Sequence, residues 1–125
     1  MTDYSKGWIG VDLDGTLAVH GGKEVWDGIY DIGEPVPAML NRVKIWISFG
    51  YEVRIVTARA AINDMTIEAQ EIVMEQRKAI HAWCVKHGLP KLQVTSSKDY
   101  GMLELWDDRA IQVIHNTGQR ADGKN

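Results

Sequence analysis

Two acids one residue apart interrupt an apolar run: Trp8-Ile9-Gly10-Val11 ends in Asp12, and Asp14, Gly15 and Thr16 follow Leu13. Like charges about 5 Å apart repel by a few kcal/mol at an effective dielectric near 20, so something must offset the pair. Three other polar groups follow apolar runs in the same way: Thr57-Ala58-Arg59, Ser96-Ser97-Lys98 and Asp107-Asp108-Arg109. If Asp12, Asp14, Asp107 and Asp108 meet, they need a counter-charge. A hard divalent cation with oxygen ligands, Mg²⁺, is the economical one. A metal held by acids beside a Thr, a Lys and an Arg suits a phosphoryl group, whose oxygens those side chains neutralise and hydrogen-bond. One Asp can then attack phosphorus. The other can protonate the leaving oxygen and activate water, given neighbours that raise its pKa.

These residues need elements that bring them to one place. Runs rich in β-branched residues predict strands over Trp8–Leu13, Glu52–Thr57, Lys91–Thr95, Leu103–Trp106 and Ile111–His115. A first helix follows Pro35 and Pro37, with Val36, Leu40, Val43 and Ile47 at helical spacing, and stops at Gly50. A second starts at Asn63 or Asp64 and ends at His87-Gly88, with an apolar face of Ala69, Ile72, Val73, Ile80, Trp83 and Cys84. Strands alternating with helices imply βαβ crossovers. The expectation is an α/β, three-layer Rossmann-like domain over 1–125, with a mostly parallel five-stranded sheet and helices on both faces. Ligands in such sheets bind beyond the carboxyl ends of the strands, where all four polar groups fall. Glycine-rich sequence predicts a short flap over about 16–34, and a polar tail covers about 119–125.

The bulk numbers narrow the field. With 45% apolar and 25% charged residues, the 125-residue chain reads as globular and large enough for a core. A net charge of −3 argues against broad binding to duplex nucleic acid, which relies on many cationic contacts. There is no apolar leader pattern at the start and no run of membrane-spanning length. Cys84 stands alone, so no internal disulfide forms and a reducing cytoplasm is the expected compartment, with no membrane partner.

In order and spacing, Asp12-Leu13-Asp14-Gly15-Thr16, Thr57 after a β-run, Lys98, and Asp107-Asp108 after another run resemble the four motifs of the haloacid dehalogenase superfamily of phosphohydrolases. The resemblance spans Trp8 to about Gly118. It implies Asp12 as nucleophile and metal ligand, and Asp14 as general acid/base whose backbone carbonyl also binds the metal. Thr57 and Lys98 would hold the phosphoryl group, and Asp107 and Asp108 would complete the Mg²⁺ shell, either of them touching the ion directly. A narrower similarity, in GYEVRIVTAR and WDDR, is to the phosphatase half of polynucleotide kinase-phosphatases. It implies that Arg59 serves the substrate phosphate, and that the substrate is a phosphorylated small molecule such as a nucleotide, or a nucleic-acid end. The chain shows no P-loop pattern. With no room for a cap domain, the resemblance is to a capless member, whose open site takes bulky substrates or borrows a lid from a second copy in a homodimer.

Other readings compete. Arg59 and Arg109 could equally be structural salt-bridge partners. A non-catalytic phosphate-binding or phospho-accepting module of the same fold would use many of the same residues. A Ca²⁺-loop reading fails, because counting from Asp12 puts Leu17 at position six and Lys23 at position twelve. Cys84 reads as a buried, inert thiol, and His20, His81, His87 and His115 have no metal-ligand spacing. His81 and His87 are taken as helix-surface residues. Trp8, Trp46, Trp83 and Trp106 are expected in packing, and Trp26 and Tyr30 against the sheet edge.

Overall fold

The computed structural model describes residues 1–20 and 31–125. The middle of the expected flap, with Trp26 and Tyr30, lies outside the described residues. Four strands form one parallel sheet: β1 (Trp8–Asp12), β2 (Glu52–Val56), β3 (Gln93–Thr95) and β4 (Met102–Trp106), in the order β3-β2-β1-β4. Two helices, α1 (Pro37–Ser48) and α2 (Ile67–Lys86), link β1 to β2 and β2 to β3. The chain is therefore α/β with an open parallel sheet.

Each helix starts and stops for local reasons. Pro37 takes the first position of α1, where its missing N–H costs nothing. Gly50 at φ +82° then turns the chain into β2. For α2, Asp64 accepts hydrogen bonds from the backbone N–H and hydroxyl of Thr66 (2.9 and 2.5 Å), and Thr66 in turn caps Ala69 N–H at 3.1 Å. The acid expected to start the helix thus builds the turn before it, and α2 begins three residues later than Asp64. Gly88 at φ +82° ends it, with Leu89 N–H donating to the Cys84 carbonyl at 2.8 Å.

Alternation along the strands decides which face is dry. Ile9, Val11, Val53, Ile55 and Val94 point to one side and share a single cluster with Met39 and Val43 of α1 and Ile80, Trp83 and Cys84 of α2. Both helices therefore cover the same face, as two successive right-handed crossovers moving outward from β1 require. The expected helices on both faces are not found among the described residues, which form two layers rather than three. On the other face, Trp8 is buried beneath the Arg54 guanidinium, 4.3 Å from its ring, and its indole N–H donates to Asp99 at 2.8 Å. Trp46 and Trp106 pack against the core, their rings 5.2 Å apart, and Trp83 donates to the Gly33 carbonyl at 2.9 Å. Cys84 is fully buried, which pushes its thiol pKa up and keeps it unreactive.

The expected fifth strand is a correction. Ile111–His115 does not join the sheet; it folds back on the residues after it, with Ile114 N–H donating to Gln119 and Ala121 N–H to Gln112 (2.8 and 2.9 Å). The cause lies on both sides. Asp107 accepts from Arg109 N–H at 2.7 Å and turns the chain away from β4, while Asn116, at φ 63°, makes the reversal. Part of the expected loose tail, Gln119–Ala121, is the return arm of this hairpin. Among the described residues no helix is long and apolar enough to cross a membrane.

The α2 face also differs from the expected one: Ile72 is 54% exposed, and Gln76 takes the buried position between Val73 and Ile80. Ile80→Ala should therefore cost about 3 kcal/mol in urea unfolding, while Ile72→Ala stays within about 0.5 kcal/mol. Equal losses would contradict the packing described.

Candidate active site

Register places the reactive residues. Asp12 ends β1 opposite Val56, so Thr57 follows immediately beside it on β2. Val11 pairs with Trp106, which brings Asp107 and Asp108 alongside from β4. Asp12, Asp107 and Asp108 each offer a carboxylate oxygen within 4.8 Å of the others, close to the ~4.2 Å between opposite oxygens of an ion with ~2.1 Å bonds. Asp14 is not in this group.

The turn after β1 keeps the acids in place. The Leu13 carbonyl accepts from Leu17 and Ala18 N–H (3.0 and 2.8 Å), and Leu13 and Leu17 are fully buried, so the loop is pinned into the core between the two acids. Gly15 sits at φ +92°, and a Cβ there would lie 2.6 Å from Asp108 Oδ2. The glycine is what lets Asp108 approach. The Thr16 hydroxyl lies 3.4 Å from both Asp12 Oδ2 and Asp108 Oδ1 and can donate to either.

Electrostatics differ sharply between the two acids. Burial, then the Asp107 charge, then the hydrogen bond and charge of Asp108 push the Asp12 pKa up to about 7. Asp14 instead faces a cation. Arg59 Nε donates to its Oδ2 at 2.7 Å and Nη2 to its Oδ1 at 2.9 Å, a bidentate pair in which the arginine side chain is 3% exposed. Arg59 also donates to the Asp31 carbonyl at 2.7 Å and to Gln76 Oε1 at 3.2 Å. Of the two readings of Arg59, the structure displays the salt bridge, with Asp14 as its partner.

Thr57 is buried and caps the single turn Ala58–Ala60, its Oγ1 accepting from Arg59 N–H at 3.2 Å. A hydroxyl that accepts there keeps its own proton to donate. An open cavity of about 620 Å³ lies over these groups, lined by Asp12, Asp14, Thr57, Arg59, Asp107 and Arg109, together with His20 and Ser96.

The chain matches no family model, no curated protein and no solved structure. What the site can do therefore rests on its own donor set: three carboxylates able to share a divalent cation, a fourth paired with an arginine, and the Thr57 hydroxyl at the same cavity.

Lys98 is the expected site residue that the fold does not bring in. It is exposed and does not line the cavity. After β3 the chain must return from the carboxyl end of the sheet to its amino end to start β4, and Ser96–Gly101 does so without a helix. Asp99 is already bound to Trp8, at the start of β1 and so at the far end from Asp12. Ser96, two residues before Lys98, lines the cavity. Gln76 was not foreseen. Its sequence signal is a polar residue at helical spacing between Val73 and Ile80, on the face that must be dry.

Among the histidines, His81 and His87 are half-buried: His81 Nε2 lies 2.9 Å from the Leu92 carbonyl, and His87 packs on Trp83.

Between the ordinary carboxylate range and about pH 7, the folded protein keeps a proton on Asp12 that the unfolded chain has lost, so this group's contribution to stability falls as pH rises through that window. In chelator, the melting midpoint should therefore be higher near about pH 5.5 than near about pH 8, and Asp12→Asn should flatten the difference. Gly15→Ala should shrink any rise in midpoint produced by a divalent cation at pH 8, because it displaces Asp108. Differential scanning fluorimetry reads both.

Proposed function

We propose that this chain is a Mg²⁺-dependent phosphatase of the haloacid dehalogenase type, capless and with a Rossmann-like core, that hydrolyses phosphomonoesters through an aspartyl-phosphate on Asp12. The observation that carries the reading is the carboxylate cluster at the end of β1, at the same cavity as the buried Thr57. Asp12 is grouped with Asp107 and Asp108, while Asp14 is held separately by Arg59. The raised pKa falls on Asp12 and the neighbour of Asp14 is a cation, so the proton-transfer role of Asp14 rests on the resemblance and not on its surroundings.

Asp12, Asp107 and Asp108 would hold Mg²⁺, which when bound neutralises the acids and the phosphoryl oxygens. An Asp12 oxygen attacks phosphorus, the ester P–O bond breaks, and the leaving oxygen takes a proton from Asp14. Water then gives a proton to Asp14 and attacks phosphorus, releasing phosphate and restoring the Asp12 carboxylate. The Thr57 hydroxyl donates to a phosphoryl oxygen throughout. Arg59 aims Asp14 at the cavity rather than at the acid cluster. The narrower resemblance points to a nucleotide or a nucleic-acid end as substrate.

Release of phosphate from p-nitrophenyl phosphate should require Mg²⁺, cease in excess chelator, and fall by about 10³-fold or more in Asp12→Asn. Undiminished release in Asp12→Asn would sink the reading. The rival, a module that only accepts or binds phosphate, predicts one phosphate per chain at most, where the phosphatase turns over repeatedly.

A further inference from the structure

All six arginines of the chain lie within the described residues. Five have partners. Arg42 lies over the Trp106 ring, Arg54 pairs with Glu52 and Asp99, and Arg59 pairs with Asp14. Arg77 donates to the Val94 carbonyl, and Arg120 pairs with Asp122. The Arg109 guanidinium alone has no partner among the described residues, although Asp107 and Asp108 precede it directly.

Arg109 is nonetheless placed. Its backbone N–H donates to Asp107 Oδ1 at 2.7 Å, so the residue is fixed to one of the clustered acids, and it lines the same cavity as Asp12 and Thr57. Thr57 is buried at the floor; Arg109 is exposed, at the rim. A phosphoryl group needs on the order of 100 Å³, three or four waters' worth of volume. The cavity of about 620 Å³ is several times larger, which leaves room for whatever the phosphate is attached to. A planar guanidinium with its donors uncommitted is matched to a second phosphate in that space.

We propose that Arg109 binds a second phosphate on the leaving group, so that the preferred substrates are phosphomonoesters already carrying another phosphate. Naming that part the leaving group rests on the phosphatase reading; the anion contact itself does not.

The test is a binding measurement in the Asp12→Asn protein with Mg²⁺, comparing adenosine 3′-phosphate with adenosine 3′,5′-bisphosphate by calorimetry. The bisphosphate should bind about tenfold or more tightly, the scale of one charge-assisted contact. Adding Arg109→Gln should bring the two ligands within about twofold, and Arg109→Lys should keep part of the preference, since it retains charge without the fork. Because Arg109 is exposed, Arg109→Gln should leave the melting midpoint in place, which guards against misfolding. Equal binding, no measurable binding, or a preference that survives Arg109→Gln overturns the proposal. Turnover of the bisphosphate by the unmutated protein separates the two ideas. Arg109-dependent binding without turnover removes the phosphatase and keeps the anion site. Turnover with no Arg109-dependent preference removes the anion site alone.

Discussion

The crowding of Asp12, Asp107 and Asp108 at the carboxyl ends of β1 and β4 is the constraint around which the rest of the structure is arranged. Three carboxylates within 4.8 Å of one another are unfavourable in a partly buried setting, and burial with the neighbouring charges pushes the Asp12 pKa up to about 7. The fold imposes that cost through register, since parallel pairing of β1 with β2 and β4 leaves no freedom in where Asp12 and Asp107 end up. Leu13 and Leu17 anchor the loop in the core, and Gly15 admits Asp108. An electrostatically costly group held by well-packed neighbours is a pattern that proteins concentrate at functional sites.

Asp14 shows the complementary solution. Its charge is met by Arg59, and Arg59 by Asp14, the Asp31 carbonyl and Gln76. Gln76 is 2% exposed on a helix face that otherwise carries Val73, Ile80 and Trp83. An amide buried there without a partner would cost about 1–3 kcal/mol, so its bond to Arg59 is what makes the position tolerable. Through this contact α2 supports the site, which neither helix does by any other hydrogen bond among the described residues.

Much of this was legible in the sequence, because the strongest signals were local. Four strands, two helices and the placement of polar residues at strand ends follow from periodicity and from turn residues such as Gly50 and Gly88. What escaped depends on connections. Ile111–His115 has strand composition, yet Asp107 and Asn116 turn it into a hairpin. Lys98 has the right order, yet it is exposed and does not line the cavity. Covering of one sheet face follows from the direction of successive crossovers, which composition does not encode. Gln76 was readable only as an anomaly in an apolar face.

The two arginines near the site illustrate why residue type alone cannot assign a role. Arg59 and Arg109 each follow a strand end, and each could be a structural salt-bridge partner or a functional residue, with a phosphate-binding role implied for Arg59 alone. Burial separates them. A guanidinium at 3% side-chain exposure must have its charge met in the folded state, and Arg59 meets it with a bidentate carboxylate, which ties it to Asp14. An exposed guanidinium bears no such obligation, because water solvates it when nothing else does. Arg109 can therefore remain uncommitted in the folded protein and still have a fixed position through its backbone bond to Asp107. Freedom of the charged group and rigidity of its anchor are together what a substrate-reading cation needs, and in this chain they coincide at Arg109.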